Sequence, residues 1–471
     1  MKILIVNPPA YKNTDYIREG RCMQTKSSWA ALWMPLSLCY IAAVLRKNHE
    51  IKLIDCIAEK ISVDRLISDT AAFKPGLVVL NTAIPSMSGD MLAAEKIKMM
   101  LPDTRIVIVG MYPSIFEKES LVRFPFIDYA IMDEPEWAIS SLAGALQNNG
   151  AFGEIKGLIF RDSTEVIINE RQKLSENDPD DLPFPARDLL NNDSYRLPTT
   201  GKKFTLLSVG RGCSENCIYC IANLYYGKRF RQRSVENVIA EIEECIVKYD
   251  IRNFLFWGES FTTDPAYGEA ICDEIIKRKI RITWSTTTRV DTVNKVLLDK
   301  MKKAGCILLG LGIESYDQEV LDNSRKRISI AQIDNAVSMI RKTGINSMGH
   351  FVFGLPGDTP EKAGKTLKFA LKNVDFAQFY CAIPYPGTEL GRIAAEKNWI
   401  TDYDYENLDL TRSVMKNETM SSEEIRKIRD RAYRRFYFRP KMFLQTIREV
   451  KSLKSFFSLL NFIEWIKPGR P

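Results

Sequence analysis

The chain has 471 residues, 45% hydrophobic and 27% charged, close to globular averages, so most of it is expected to fold into two or three domains. A formal net charge of +7 over this length permits anionic partners without requiring nucleic acid, which is not expected. No apolar run approaches the ~20 residues needed to span a bilayer, and ten scattered cysteines argue against a disulfide framework, so the cytoplasm is the default location.

The start, Met1-Lys2-Ile3-Leu4-Ile5-Val6-Asn7-Pro8-Pro9, reads as a buried strand stopped by two prolines, not as a leader. To about residue 150, strand patterns at Lys2–Asn7, Ile51–Asp55, Leu77–Asn81, Arg105–Val109 and Ile127–Ile131 alternate with amphipathic stretches at Leu36–Lys47, Val63–Phe73 and Asp90–Leu101. Such alternation predicts an α/β domain with a parallel sheet covered on both faces, binding ligands beyond the carboxyl ends of its strands. Residues 155–170 read as a β-hairpin, and the proline- and acid-rich run Asp178–Pro185 reads as a linker. The domains expected are 1–150, a connecting segment 151–198, 199–400 and a basic helical extension 401–471.

In the third of these segments the count starts afresh. Strands are expected at Phe204–Val209, Asn253–Trp257, Arg281–Thr286, Cys306–Gly310, Ser347–Phe353 and Phe376–Cys381, with helices in the gaps. The clearest helix follows Ser234 as N-cap, with Val235, Val238, Ile239, Ile242 and Ile246 on one face. Six strand–helix units suggest a partial (β/α)6 barrel, related to the eight-fold version whose site lies at the strand carboxyl ends. Beyond Thr388 the pattern becomes helical and basic, with aromatics interleaved at Tyr433–Arg439, Phe456-Phe457 and Phe462–Trp465.

Cys213-Ser-Glu-Asn-Cys217-Ile-Tyr-Cys220 follows the first of these strands and the Arg211-Gly212 turn. Three thiolates on one loop can ligate three irons of a 4Fe–4S cube and leave the fourth open to chelate an amino and a carboxylate group. A closed zinc site is the alternative, but it prefers four ligands. Only two histidines, His49 and His350, occur in the whole chain. Cysteines on helices, such as Cys245 and Cys272, suit small core positions. Cys381, ending the sixth strand, is expected to face the barrel mouth.

This three-cysteine spacing, with Tyr219 before the last cysteine, resembles the radical S-adenosylmethionine (SAM) superfamily. The resemblance implies that Glu259, in Trp257-Gly258-Glu259-Ser260, contacts the SAM amino group, and that Thr287 and Arg289 serve its carboxylate. Glu314 and Gly312, in Gly310-Leu311-Gly312-Ile313-Glu314, are similar to the segment that meets the ribose, and Gly354–Asp358 to the segment near adenine.

From residue 1 to about 450 the chain resembles the cobalamin-binding-domain radical SAM family. Asn7-Pro8-Pro9, Trp33–Leu38, Asp181–Pro185 and Pro384–Glu389 carry that resemblance. It implies a flavodoxin-like (Rossmann-like) N-terminal domain holding cobalamin, with Pro9, Thr82, Tyr112 and Glu134 at its strand ends. Tyr112 stands where many relatives carry a histidine, and no Asp-x-His-x-x-Gly motif is present, so main-chain contacts to the corrin are implied.

The implied activity is reductive cleavage of SAM to a 5′-deoxyadenosyl radical, followed by cobalamin-dependent methylation of an unactivated carbon in a small-molecule or lipid precursor. An external one-electron donor of flavodoxin or ferredoxin type is implied with it. Cys381 and Tyr385 are candidates for the substrate side. The basic aromatic tail suits either peripheral membrane contact or a helical cap over the barrel. A radical cyclase or oxidoreductase without methyl transfer, and a non-catalytic iron–sulfur protein, remain open alternatives.

Overall fold

A computed structural model describes residues 1–20, 22–25, 31–148, 150–197 and 200–440. The chain divides into two compact units, Met1–Tyr195 with Ile221–Gly227, and Arg196–Cys220 with the residues from Lys228 onward.

In the first unit the strands are β1 (Lys2–Asn7), β2 (Tyr16–Glu19), β3 (Cys22–Thr25), β4 (Glu50–Asp55), β5 (Leu77–Thr82), β6 (Arg105–Gly110), β7 (Tyr129–Ile131), β8 (Leu158–Asp162) and β9 (Glu165–Ile168). Seven of them form one sheet in the order β4-β1-β5-β6-β7-β8-β9. The first five are parallel, and their order is the 2-1-3-4-5 of flavodoxin-like folds. Every residue of β5 is buried, which is why this strand reads as a continuous Leu-Val-Val-Leu run rather than an alternating one. The expected hairpin forms as β8 and β9, but it pairs antiparallel with β7 and so extends the same sheet past residue 150. The proline-rich run Asp178–Pro185 also lies within this unit. The segment after it is fastened to the unit: Ala186 N–H donates to the Cys39 carbonyl at 3.0 Å and Tyr195 Oη to Asp55 Oδ2 at 2.7 Å.

The antiparallel pair β2–β3 has no counterpart among the expected elements. Four-residue strands carrying Arg18, Glu19 and Gln24 show no apolar alternation, and all three side chains are buried.

The second unit contains β10 (Thr205–Ser208), β11 (Gly210–Arg211), β12 (Arg231–Gln232), β13 (Asn253–Trp257), β14 (Thr283–Thr288), β15 (Cys306–Glu314), β16 (Asn346–Phe353) and β17 (Phe376–Cys381). Six of these form a parallel sheet in strict chain order, β10-β13-β14-β15-β16-β17, the partial barrel expected. Helix Val235–Tyr249 starts where Ser234 Oγ accepts the Asn237 N–H at 3.2 Å, and it ends at Asp250 in the left-handed region. Its buried stripe, Val238, Ile239, Ile242 and Cys245, packs on the sheet's outer face.

Strand parity separates the two faces of this sheet. Leu207, Phe254, Phe256, Trp284, Leu309, Leu311, Ile313, Phe351, Phe353, Phe379 and Cys381 join the core shared with the helices. The alternate positions, among them Thr287, Gly310, Gly312, Glu314, His350, Gln378 and Tyr380, belong to the inner face. The outer-face core continues into helix Ser422–Tyr437, which opens with a capping box of Ser421 and Glu424. Its Tyr433 and Phe436 rings meet Phe379 edge-on at 5.4 and 5.8 Å, and Tyr437 Oη donates to the Ala377 carbonyl. Tyr433, Phe436 and Tyr437 are therefore core residues of a cap on β17 and not an interfacial stripe. The aromatics at 456–465 lie outside the described residues.

Candidate functional site

The cysteine loop is fixed at its base. Gly210 and Arg211 pair antiparallel with Gln232 and Arg231. A Cβ on Gly210 would lie 2.7 Å from the Arg231 carbonyl oxygen, so only glycine admits this pairing. Gly212 turns the chain at φ +95, and Cys213 follows. Farther along, Ile218 N–H donates to the Ser324 carbonyl at 3.2 Å and its own carbonyl accepts from Leu390 N–H at 2.8 Å.

Exposure sorts the thiols. Cys213, Cys217 and Cys220 are half-buried and outside any disulfide, whereas Cys39, Cys56, Cys245, Cys272, Cys306 and Cys381 are fully buried thiols. Burial pushes Cys306 and Cys381 up to about 12, out of the range where a thiolate forms readily. Among the cysteines whose burial is described, the loop thiols alone combine ligand chemistry with access. Among the described residues no three His, Cys, Asp or Glu side chains gather as they would around a single metal ion. Three half-buried thiols on one loop are the ligand type that three irons of a cube would take.

Two tethers join this loop to the strand ends. Tyr219 faces Glu314, and burial first, then that carboxylate, holds the phenol well above its ordinary value. Glu314 sits at φ +65, where the β15–β16 register shifts between Gly312 and Glu314. Its Oε1 accepts from Lys326 Nζ at 2.8 Å, with both side chains about nine-tenths buried. Burial opposes the ammonium charge most, but the Glu314 carboxylate and the Cys217 thiol together outweigh it and the lysine pKa is raised. A Cβ on Gly312 would stand 2.8 Å from Lys326 Nζ, which is why glycine occupies this inner-face position. The second tether is Arg289. It forks onto Asp291 with two 2.9 Å bonds, donates to the Lys326 carbonyl at 3.1 Å, and reaches Glu215 of the loop at 3.5 Å.

Thr287 lies on the same inner face, with its hydroxyl 3.4 Å from the Gly258 carbonyl. Glu259 is half-buried. Beside it, the Ser260 hydroxyl is buried and finds no hydrogen-bond partner among the described residues. A buried orphan hydroxyl next to a carboxylate suits a polar ligand such as the amino acid end of SAM. Residues 219, 259, 287, 289, 312 and 314 thus come together on one rim.

Sequence reasoning missed Lys326, Ser260 and a polar group deeper on the inner face. His350 Nδ1 lies 3.1 Å from Tyr380 Oη, the two rings are stacked, and Tyr380 in turn bonds Gln378. Strand parity alone was enough to place His350, Gln378 and Tyr380 together; nothing local in the sequence marks Lys326.

Cys381 departs from expectation. It shares the parity of Ala377 and Phe379 and faces the helical core, not the mouth; Tyr380 and Ala382 take the other side. Tyr385 is buried, with its hydroxyl 3.4 Å from the Leu408 carbonyl. A cavity of about 760 Å³ lies beside it, lined by Pro384, Thr388, Arg392 and Tyr405 among others, but not by Tyr385 itself.

In the first unit the strand carboxyl ends hold a buried polar network. Arg18 pairs with Asp90 at 2.7 Å and donates to Ser86, Asn7 and the Pro8 and Pro9 carbonyls. Asn7 donates to Asp55, which also accepts from Tyr195. Pro9 therefore presents its carbonyl to Arg18, and Thr82 spends its hydroxyl on the Val109 carbonyl at 2.7 Å. Glu134 is buried, and its carbonyl accepts from Gln172. Tyr112 is a correction: it is 1% exposed and packs in the core against Phe116 and Phe124, at 4.5 and 6.2 Å between ring centres. Helix Met111–Phe116 begins directly after β6 and turns this ring inward. His49 lies at the amino end of β4, 3.4 Å from the Met1 amine, away from the ligand-binding ends. The donor set at those ends is main chain, hydroxyl and carboxylate, which fits a macrocycle gripped through backbone contacts and offers its metal no imidazole from this unit.

Comparison with known proteins agrees with this geometry. The model of the Radical SAM superfamily matches residues 207–370, and that of the B12 binding domain matches residues 27–143. An uncharacterised methyltransferase of Pyrococcus horikoshii is 32% identical over 451 residues, covering 95% of this chain and 95% of its own. The anaerobic magnesium-protoporphyrin IX monomethyl ester cyclase of Rubrivivax gelatinosus is 24% identical, covering 88% of this chain and 76% of its own. Among solved structures, the cobalamin-dependent SAM radical enzyme OxsB shares the fold, with a TM-score of 0.74 at 15% identity over 98% of this chain and 70% of that one. Cysteine loop, six-stranded barrel, flavodoxin-like sheet and a relative alike over nearly its whole length leave one assignment: the chain belongs to the cobalamin-binding-domain radical SAM family of enzymes.

Proposed function

We propose that this enzyme methylates an unactivated carbon of a small-molecule or lipid precursor, using SAM and cobalamin. The reading is supported most by one observation. The three half-exposed thiols sit on a loop tied through Tyr219 to Glu314–Lys326 and through Glu215 to Arg289, at the rim where SAM-binding residues are expected. When bound, the cluster supplies an electron to the SAM sulfonium and the corrin supplies a transferable methyl group, while the protein positions both and excludes water.

The chain's own residues divide this work. Cys213, Cys217 and Cys220 would supply three thiolates to the cluster, fewer than its four irons, so that the SAM amino and carboxylate groups could be bound there. Glu259 and Ser260 receive the ammonium, Thr287 and Arg289 face the carboxylate, and Glu314 accepts from ribose hydroxyls. Gly312 keeps that side of the barrel open. Pro9, Thr82 and Glu134 belong to the strand ends that hold the corrin through main chain. The first unit, Met1–Tyr195 with Ile221–Gly227, would be the corrin-binding half, and the unit that carries the six-stranded parallel sheet the radical core. An external one-electron donor of flavodoxin or ferredoxin type reduces the cluster. Among the described residues no helix is long and apolar enough to cross a membrane; a cytoplasmic enzyme is the simplest setting.

Methyl transfer is preferred to cyclisation because the more similar relative, alike over 95% of both chains, is named a methyltransferase. The test is anaerobic reconstitution with iron, sulfide and hydroxocobalamin, followed by reductant and SAM. Deoxyadenosine release and corrin absorption in the same preparation are expected. A fully loaded cluster that releases no deoxyadenosine would end the proposal, and a corrin-free protein that still cleaves SAM would redirect it to a radical cyclase or oxidoreductase.

A further inference from the structure

At the amino ends of β13 and β14 lies a concavity of about 660 Å³ whose lining includes Arg196, Lys202, Lys203, Arg252, Arg281 and Lys303 against a single carboxylate, Asp250. Its floor is Asn253, Ile282, Thr283, Ala304 and Gly305. This is the end of the barrel opposite the cysteines, which follow the carboxyl end of β10. A five-residue strand such as β13 puts about 17 Å between the two rims.

The cations here are held differently from those elsewhere on the unit. Lys300 is matched by Glu269 and Asp273 at 2.9 and 2.8 Å, and Arg278 by Glu243 and Glu274 at 3.3 and 3.1 Å. Around the concavity two of the cations are oriented by main-chain carbonyls. Lys203 donates to Tyr249 at 3.0 Å and Arg252 to Arg281 at 3.4 Å. Among the described residues, Lys202, Arg252, Arg281 and Lys303 meet no carboxylate, and Asp250 comes only within 3.9 Å of Lys203. Carbonyls orient a cation without cancelling its charge. A concave surface of one sign focuses the field and gathers counter-ions.

We infer that this concavity is a binding site for a phosphate-bearing polyanion, separate from the radical centre. Its size suits a small molecule or a headgroup. The planar guanidinium forks of Arg252 and Arg281 favour phosphate oxygens over a lone carboxylate, and with Lys202 and Lys303 they make four cations that meet no carboxylate among the described residues. A free polyphosphate and an anionic lipid headgroup share this chemistry, and the experiment separates them.

The full chain, purified anaerobically with its cluster, is titrated by calorimetry with sodium pyrophosphate, and by sedimentation with phosphatidylglycerol or phosphatidylcholine vesicles. Saturable pyrophosphate binding that weakens with added salt is expected, falling at least about tenfold in the triple variant Arg252→Gln/Arg281→Gln/Lys303→Gln. That variant should keep the wild-type urea midpoint and SAM cleavage, and Lys365→Gln, outside the concavity's lining and paired with Glu361 at 3.3 Å, should bind like wild type. If the triple variant fails to fold, Lys303→Glu, at an exposed helix end, is held to the same criterion. Binding to phosphatidylglycerol alone, lost in the same variant, assigns the site to a headgroup. Binding of neither probe, or equal binding by wild type and variant, overturns the inference.

Discussion

Lys326 Nζ lies 2.8 Å from Glu314 Oε1, and the same carboxylate faces the phenol of Tyr219, whose proton it helps to retain, between two cluster cysteines. One buried ion pair thus sets the position of the cysteine loop and of the acid expected at the SAM ribose. Removing one partner of such a pair strands the other, at a cost of about 3–5 kcal/mol. Lys326→Met is expected to lower stability by about that amount and SAM affinity at least about tenfold. Lys326→Arg should recover most of both. Equilibrium dialysis of SAM against cluster-loaded protein, with urea unfolding alongside, decides it; unchanged SAM affinity in Lys326→Met would remove the lysine from the site.

Access separates cluster ligands from core cysteines, so iron content should follow exposure and not cysteine number. Alanine at Cys213, Cys217 or Cys220 is expected to abolish stable cluster loading. Alanine at Cys272 or Cys381, both fully buried, should leave iron and sulfide per chain unchanged and cost only about 1 kcal/mol of stability. Loss of iron in Cys381→Ala would mean that the thiol reaches the inner face after all.

How far the sequence reveals these features depends on whether the signal is local. The cysteine triad is legible because its ligands lie within eight residues on one loop. The strands are legible from apolar period and length, and their order follows from strand–helix alternation. The end of β15 misleads: the strand is expected to stop at Gly310, yet it runs on to Glu314, because the inner face takes glycine at 310 and 312, where His350 and Lys326 approach. Cys381 misleads by one residue of parity. Lys326 was invisible, since it follows a short helix, Gln318–Asn323, and meets Glu314 only through the turn of the chain. Arg18, buried on a hairpin without apolar alternation, escaped for the same reason.

Tyr112 separates a packing role from a corrin contact. Its ring packs with Phe116 and Phe124 in the core of the first unit, so Tyr112→Ala should cost about 3–5 kcal/mol. Tyr112→Phe keeps the ring and should load hydroxocobalamin as wild type does, measured by corrin absorbance after desalting. Loss of corrin in the phenylalanine variant without loss of stability would show that the hydroxyl serves the cofactor.

Asp358 gives the second unit a pH signature. Its carboxyl is pushed up to about 6, first by burial, with the Gly354 and Thr359 N–H donors opposing. A folded-state value above the unfolded one means that the native protein holds the proton more tightly. The resulting stability is full below about pH 4 and is lost as pH rises through about 6. Relative to Asp358→Asn, wild type should therefore lose on the order of 2–3 kcal/mol between pH 4 and 7. Paired urea titrations across that range would show the gap; a pH-independent gap would mean the carboxyl ionises normally.

Gly310 isolates the His350–Tyr380 pair from the SAM contacts. A Cβ at Gly310 would stand 2.9 Å from His350 Nε2 and 3.1 Å from Thr287 Cγ2. The imidazole must then swing, and its 3.1 Å contact with Tyr380 is strained or broken. Overpacking of this kind costs about 1–3 kcal/mol. In a His350→Ala background the added methyl meets space instead of a ring, so Gly310→Ala should there cost less by at least about 1 kcal/mol. The four proteins of that cycle, unfolded in urea, measure the coupling directly. Additive costs would place the crowding on Thr287 and leave the imidazole free of it.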